Sequence, residues 1–464
     1  MKKLTSLIVL FVINSFVFAQ KIELNAKVDE RCELLSTVFR LAEIEEYTPN
    51  EFSVFVDSVI KYFEPYKNHE VVEYCKMYRK KHSIAYDAPM NMAVHLQIIE
   101  GKISLIPNVK ENSLDSRWDR DALPRFIELL NDFYTVTKFH DFFQTQTIKE
   151  KVEIAANEYF KKIDMKWFES FFGEVPEGNF NLVISLSNGN NNYGPNVEYL
   201  DGKEDLYSII ICGIDSLNNP VFEDDWAIEL IVHEFCHSFC NPLITENYPK
   251  MQEKANAFFK QKKKTFKRMD YGDPQIMLFE VLVRASVIQY LADHFQENPQ
   301  DYLSRQKING FIWIEELYNL LDQYEENRDT YPTLRSFMPE IVYALNQMDP
   351  KRMEKERQKK KPTMLVANIT NGDQNVDAST TEIVIKFDKP MFTIPYGTSS
   401  GKQGKDYMPK ALGAEWNKET KTEWVLKVQL EPNKKYSISF PAQWFYSEDG
   451  VNAKNTVYLD FKTK

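Results

Sequence analysis

Histidine is scarce in this chain, with 7 among 464 residues, and cysteine is scarcer, with 5. So few cysteines in a chain of this length exclude a disulfide-built scaffold. The fold must rest on a hydrophobic core, which a 43% apolar composition can supply. Cys32, Cys75 and Cys212 leave room for one disulfide. Cys236 and Cys240, one helical turn apart, are badly placed for a strain-free bridge and read as small buried filler. Beyond the N-terminus no apolar run is judged long enough to cross a bilayer, so no transmembrane segment is expected. Positive charge is also in deficit: 57 Lys and Arg against 68 Asp and Glu give a net charge of −11. That balance argues against nucleic acid or an anionic membrane as partner.

The first nineteen residues carry Lys2 and Lys3, an apolar stretch from Leu7 to Phe18, and Val17 and Ala19 before Gln20. This is the pattern of a secretory signal cleaved near Ala19, which places the mature chain in the periplasm or outside the cell. From Ile22 to Phe172 the pattern is mainly helical, with amphipathic runs at Glu33 to Ile44, Glu51 to Tyr62 and Arg125 to Phe133. His69, His82, His95 and His140 are scattered singly through it, and single histidines do not make a metal site.

Two β-rich runs follow, Asn181 to Leu186 and Leu206 to Cys212, separated by the long polar connection Asn188 to Pro195, which reads as a mobile or cleft-bordering loop. An edge strand here suits pairing with an extended substrate, but which strand lies at the edge is not legible. Then come His233-Glu234-Phe235-Cys236-His237. Two histidines four residues apart project from one helical face and can reach one ion, with a glutamate between them. Ile228, Ile231, Val232, Phe235 and Phe239 form the core stripe beside them, acidic residues at Asp224-Asp225 suit the helix start, and Asn241-Pro242 is expected to stop the helix. Further helices are expected at Lys250 to Lys267, Asp273 to Phe295, Ile308 to Tyr324 and Leu334 to Met348.

No third histidine follows the motif closely; Cys240 and Leu243 stand where an extended motif would place Gly and His. The remaining ligand is sought in the apolar helix around Glu280, where an ionised carboxylate costs several kcal/mol unless paired or metal-bound. Arg284, one turn on, either compensates Glu280 by itself or orients it toward a metal. Thiolate ligation by Cys236 or Cys240 and ligation by His294 are the rivals. After the basic stretch Lys351 to Lys361, a helix end or linker, period-two patterns such as Ile383, Ile385 and Phe387, and Trp424, Leu426, Val428 and Leu430, indicate a β-sandwich.

HEFCH followed by the helix-borne glutamate of FEVLVRA resembles the gluzincin group of zinc metallopeptidases, and within it a secreted bacterial family of uncharacterised function. FDKPM at Phe387 to Met391, WVLKVQL at Trp424 to Leu430 and the run Tyr446 to Gly450 are similar to the bacterial Ig-like domain of S-layer proteins. The resemblance implies an α+β chain: signal peptide 1–19, helical region 20–175, zincin-like catalytic region 176–350, basic linker 351–363 and Ig-like sandwich 364–464. It also implies one zinc ion per chain on His233, His237 and Glu280, with Glu234 as general base acting on peptide bonds of proteins or glycoproteins. Tyr271 is the expected oxyanion donor, with Tyr248 a weaker rival. The competing reading is a non-catalytic binding protein that uses the same scaffold and the Ig-like module to hold a protein or glycan. A third keeps the zinc and hydrolyses an amide or ester of a small molecule.

Overall fold

The computed structural model describes residues 24–464 apart from residues 51, 176, 177, 223, 224, 270, 296, 297 and 395. The expected signal peptide therefore lies outside the described residues, as does Asp224 at the expected start of the motif helix. The chain is mixed α+β, with a helical N-terminal part and C-terminal strands gathered in sheets.

Helices α1 (Glu30–Leu41), α2 (Ser53–Phe63), α3 (Glu70–His82), α4 (Asp87–His95), α5 (Leu123–Val136), α6 (Phe139–Thr145), α7 (Ile148–Phe160) and α8 (Met165–Phe172) make up most of that first part. Asp29 caps α1 through the Arg31 amide, and Asp164 caps α8 through that of Lys166, each side chain satisfying one orphan N–H of the first turn. The first strand is β1 (Ala26–Lys27). A hairpin that sequence periodicity did not reveal, β2 (Leu96–Ile99) with β3 (Lys102–Leu105), follows α4 directly.

The sheet that carries the site has the order β1, β4 (Gly178–Ser185), β6 (Glu204–Ile211), β5 (Asn196–Glu198). The first three run parallel and β5 is antiparallel to β6 at one edge. The edge strand thus begins directly after the polar connection, at Asn196. Within that connection Gly189 sits at φ +82°, where a side chain would run into the Glu46 carbonyl. Asn192 Oδ1 accepts from the Ile211 amide at 2.6 Å.

The motif helix α9 (Asp225–Arg268) packs on β6 and against α10 (Pro274–Phe295). Phe180 of β4 stacks on Phe235, with centroids 4.4 Å apart, and Phe172 stacks on Phe239 at 4.2 Å. Contrary to expectation, Pro242 does not stop α9, which runs on through Pro249 to a kink at Lys262. A proline inside a helix costs about 3 kcal/mol, but stopping there would expose Leu243 and Ile244. Both are buried, and each such side chain contributes roughly 1.5–3 kcal/mol.

By length and composition α10 could cross a bilayer, which the sequence reading had missed. In the fold, 72% of its apolar window is buried within the protein. The helix expected over Ile308 to Tyr324 begins only at Ile314, as α12 (Ile314–Glu326); the unexpected α11 (Pro299–Ile308) ends where it was to start, and α13 (Leu334–Gln347) and α14 (Pro350–Lys359) follow. The break falls at Gly310, whose φ of +101° no helix accommodates. All five cysteines are buried and free, so no disulfide forms.

Residues beyond 363 have their own core. Strands Lys410–Trp416, Glu423–Gln429, Glu382–Phe387 and Met364–Val366 form one sheet, and Ser399–Ser400, Lys435–Phe440 and Val457–Lys462 another. Ile383, Trp424, Phe440, Phe445 and Leu459 are buried together between them.

Candidate metal centre

On α9, residues Ile231, Val232, Phe235 and Cys236 are committed to the core. The helical period therefore turns His233, Glu234 and His237 toward the space below the sheet edge. Pro274–Phe295 brings Glu280, only 8% exposed, against the same space. The Nε2 atoms of His233 and His237 lie 3.2 Å apart. Glu280 Oε2 is 3.6 Å from the first and Oε1 is 3.6 Å from the second. Donors about 2.0–2.1 Å from a common ion at tetrahedral angles would stand about 3.3–3.4 Å from one another. These three residues are the group among the described residues able to hold a metal ion. The donor set fits zinc: two imidazoles and one carboxylate converge, leaving a fourth direction open.

Each donor is oriented from behind. Asn241 Oδ1 lies 3.1 Å from His237 Nδ1. An amide oxygen accepts only from a protonated Nδ1, so this contact leaves the Nε2 lone pair facing the centre. Burial, reinforced by His237 and Arg284, holds His233 down to about 3, so its imidazole is neutral and free to ligate. Tyr271 donates its hydroxyl to Glu280 Oε2 at 2.8 Å, while Arg284 Nη2 donates to Tyr271 Oη at 2.6 Å and to Glu280 Oε2 at 3.1 Å. Arg284 is itself held by Gln306 Oε1 at 3.0 Å and lies over the Phe311 ring. Burial works to raise Glu280, but His233, His237 and Arg284 outweigh it and keep the carboxyl below its ordinary range.

Glu234 is not hydrogen-bonded within this group. Burial and the nearby negative charge of Glu280 push it up to about 8, against a smaller opposing effect of Arg284. Two carboxylates share one arginine here, so a cation between the histidines would relieve both. Gly194, just before β5, covers Glu234: a Cβ at this position would overlap its carboxylate oxygens.

The backbone around Gly194 has a second property. Ile209 N donates to Tyr193 O, Tyr207 N to Pro195 O and Tyr199 N to Lys203 O, so odd-numbered residues face β6. Strand alternation then turns the backbone groups of Gly194, Asn196 and Glu198 outward. Those of Glu198 are used, by the Lys110 amide at 2.8 Å and by Ser113 Oγ at 2.8 Å. Those of Gly194 and Asn196 have no partner among the described residues.

Of the residues expected from sequence, His233, Glu234, His237, Glu280, Arg284 and Tyr271 are brought together. The Tyr271 hydroxyl is engaged on Glu280. Tyr248 lies eleven residues past His237, roughly 16 Å along the helix. His294 stacks on Tyr290 and faces Asp164, and Cys240 packs on Ser286. His69, His95 and His140 lie apart from the centre, with Asp132, Ser113 and Glu30 among their partners. Asn241 and Gly194 were missed. Asn241 sits one turn past His237, but the adjacent Pro242 was read as the helix end, and Gly194 carries no local signal of its contact.

A family model described as a domain of unknown function (DUF4932) matches residues 21–344, more than half of the chain. No curated protein matches the chain. Two solved structures of the surface layer protein SbsC align with it at 13% and 11% identity and a TM-score of 0.17 each. The alignments span 51% of this chain and 33% of those chains.

Proposed function

As a member of the DUF4932 family the chain inherits no assigned reaction, and from its own residues we propose a secreted zinc-dependent peptidase of the gluzincin type. The observation that carries this reading is the convergence of His233, His237 and Glu280 at 3.2 to 3.6 Å, with Glu234 beside them. A zinc ion held by these three would polarise a scissile carbonyl and acidify the attacking water. Glu234 takes a proton from that water as oxygen adds to the carbonyl carbon, then passes it to the leaving nitrogen as the C–N bond breaks. Gly194 and Asn196 offer free backbone groups on which an extended peptide aligns as an added strand. Helices above and below the sheet edge make the cleft of a zincin-like core, and residues 364–464 form an Ig-like sandwich serving as spacer or binding accessory.

The deciding measurement is the metal content of the purified mature chain beside Glu280→Ala and Glu234→Gln. The expected result is about one zinc per chain, lost in the first variant and kept without hydrolysis in the second. No zinc in folded wild type after reconstitution would move the assignment to a non-catalytic binding protein. Zinc together with turnover of small amides or esters alone would move it to a different hydrolase.

A further inference from the structure

A cavity of about 280 Å³ begins one residue beyond His237, where Ser238, Phe239 and Pro242 of α9 face Phe180, Glu204 and Leu206 of the sheet. Arg335 reaches it from α13, but both ends of that guanidinium are occupied, by Glu174 at 2.8 Å and by Glu246. Glu204 is the charge left over. One of its oxygens accepts from the neutral Asn196 amide at 2.5 Å, and its neighbour across the strands, Glu198, is already paired with Lys110 at 3.0 Å. A half-buried carboxylate without a direct ion pair among the described residues, in a cavity whose Arg335 is spent on Glu174 and Glu246 and with Lys110 acting on it only from a distance, is complementary to a positive group.

The strand edge closes at the same place. Gly194 and Asn196 are free to pair, but at Glu198 and Leu200 the edge is taken by the segment Asn108 to Ser113. That segment is pinned from behind: His95 Nε2 lies 2.8 Å from Ser113 Oγ, and the His95 Nδ1–H donates to the Asn91 carbonyl at 2.7 Å. A peptide laid along the edge has room for roughly three residues, opposite Pro195, Asn196 and Val197, between Gly194 over Glu234 and the blockade at Glu198. A chain end fits there, and since Lys110 offsets only one of the two charges of Glu198 and Glu204, the place favours an ammonium over a carboxylate.

Resting on the hydrolysis reading above, we infer that the free amino terminus of the substrate is held by Glu204, so the enzyme is an exopeptidase removing a short N-terminal unit. Glu204 is the specificity-determining residue. The antiparallel direction of the bound peptide follows from it, since the opposite direction would place a carboxylate against two glutamates.

Binding tests this independently of turnover. Calorimetry on the full-length mature Glu234→Gln chain, zinc-free and zinc-loaded, would compare tetra-alanine amide with a free amino terminus, its N-acetyl form, and an N-acetyl peptide bearing lysine at its second position. The free amine is expected to bind at least about tenfold tighter than the acetylated peptide, and Glu204→Gln and Glu204→Asp to shrink that ratio at unchanged melting temperature. Equal affinities, a ratio that survives both substitutions, rescue by the lysine side chain, or no binding of any of the three would overturn it. Zinc content and turnover of longer peptides judge the hydrolysis reading separately. An enzyme that cleaves N-acetylated peptides as fast as free ones is a peptidase without this specificity.

Discussion

At the scale of single residues, two contacts separate the groups that react from those that hold them. Among the described residues Glu234 has no hydrogen bond to fix it, so the packing of Gly194 over its carboxylate sets where it points. Gly194→Ala is expected to displace that carboxylate and lower kcat by about a hundredfold, since misplacing a catalytic group by about 1 Å has this effect. Zinc content should not change, and a variant as active as wild type would show that Glu234 finds its place without Gly194. Tyr271 gives its hydroxyl to Glu280 and receives Arg284, which makes it a positioning residue for the ligand. Tyr271→Phe should therefore weaken zinc binding by about 10- to 100-fold in chelator competition. An unchanged zinc affinity with kcat reduced about 10²- to 10³-fold would instead return it to oxyanion stabilisation.

At the scale of elements, the loop that delivers Gly194 is tied to α1. Glu33, fully buried, accepts from Ser187 Oγ at 2.5 Å, Ser185 Oγ at 3.1 Å and the Leu186 amide at 2.7 Å. Arg40, one face along the same helix, donates to the carbonyls of Ser187, Thr48 and Pro49. Burial pushes Glu33 up to about 7 despite those hydrogen bonds. Its folded proton affinity exceeds the unfolded value, so its contribution to stability is complete below about pH 4.5 and is lost as pH rises through about 7. Glu33→Gln should flatten the pH dependence of unfolding in that window by a few kcal/mol at most, measured by urea titration from pH 4 to 8. An unaltered slope would mean that Glu33 titrates normally. Helix periodicity marked α5 because it buries one face, with Phe126, Leu129, Leu130 and Phe133, while α10 was marked by an apolar run that is buried on nearly every side. It failed at Pro242, where burial outweighs a local breaker, and at Gly310, where a residue in the middle of an apolar pattern breaks a helix.

At the scale of the molecule, two cores divide the chain, and the contacts that join them are polar and few in kind. Lys421 bridges Asp301 and Glu448, Ser304 donates to the Glu448 carbonyl, Arg357 donates to the Gly450 carbonyl and Lys360 pairs with Asp449. The basic stretch at 351–361 thus forms a helix whose end clasps the C-terminal part. Every residue of the candidate centre belongs to the other core. A chain ending at residue 363 is expected to keep about one zinc with unaltered affinity, read by elemental analysis alongside a thermal melt. Loss of zinc from a folded truncated chain would show that the sandwich supports the site from a distance.

By itself, the sequence determined the motif helix, the pair of histidines four residues apart, the glutamate between them and the anomalous charge at Glu280. These are local properties: a helical period places side chains on one face, and an ionisable group in an apolar run announces that something must compensate it. Only the tertiary structure decided that Glu280 meets the histidines at bonding separation and that Tyr271 stands behind it. It also decided that a glycine roofs Glu234 and that the strand edge is open ahead of Glu198 and closed there. Those arrangements depend on segments far apart in sequence being pressed together by burial of the core, and no spacing along one chain segment encodes the distance between two.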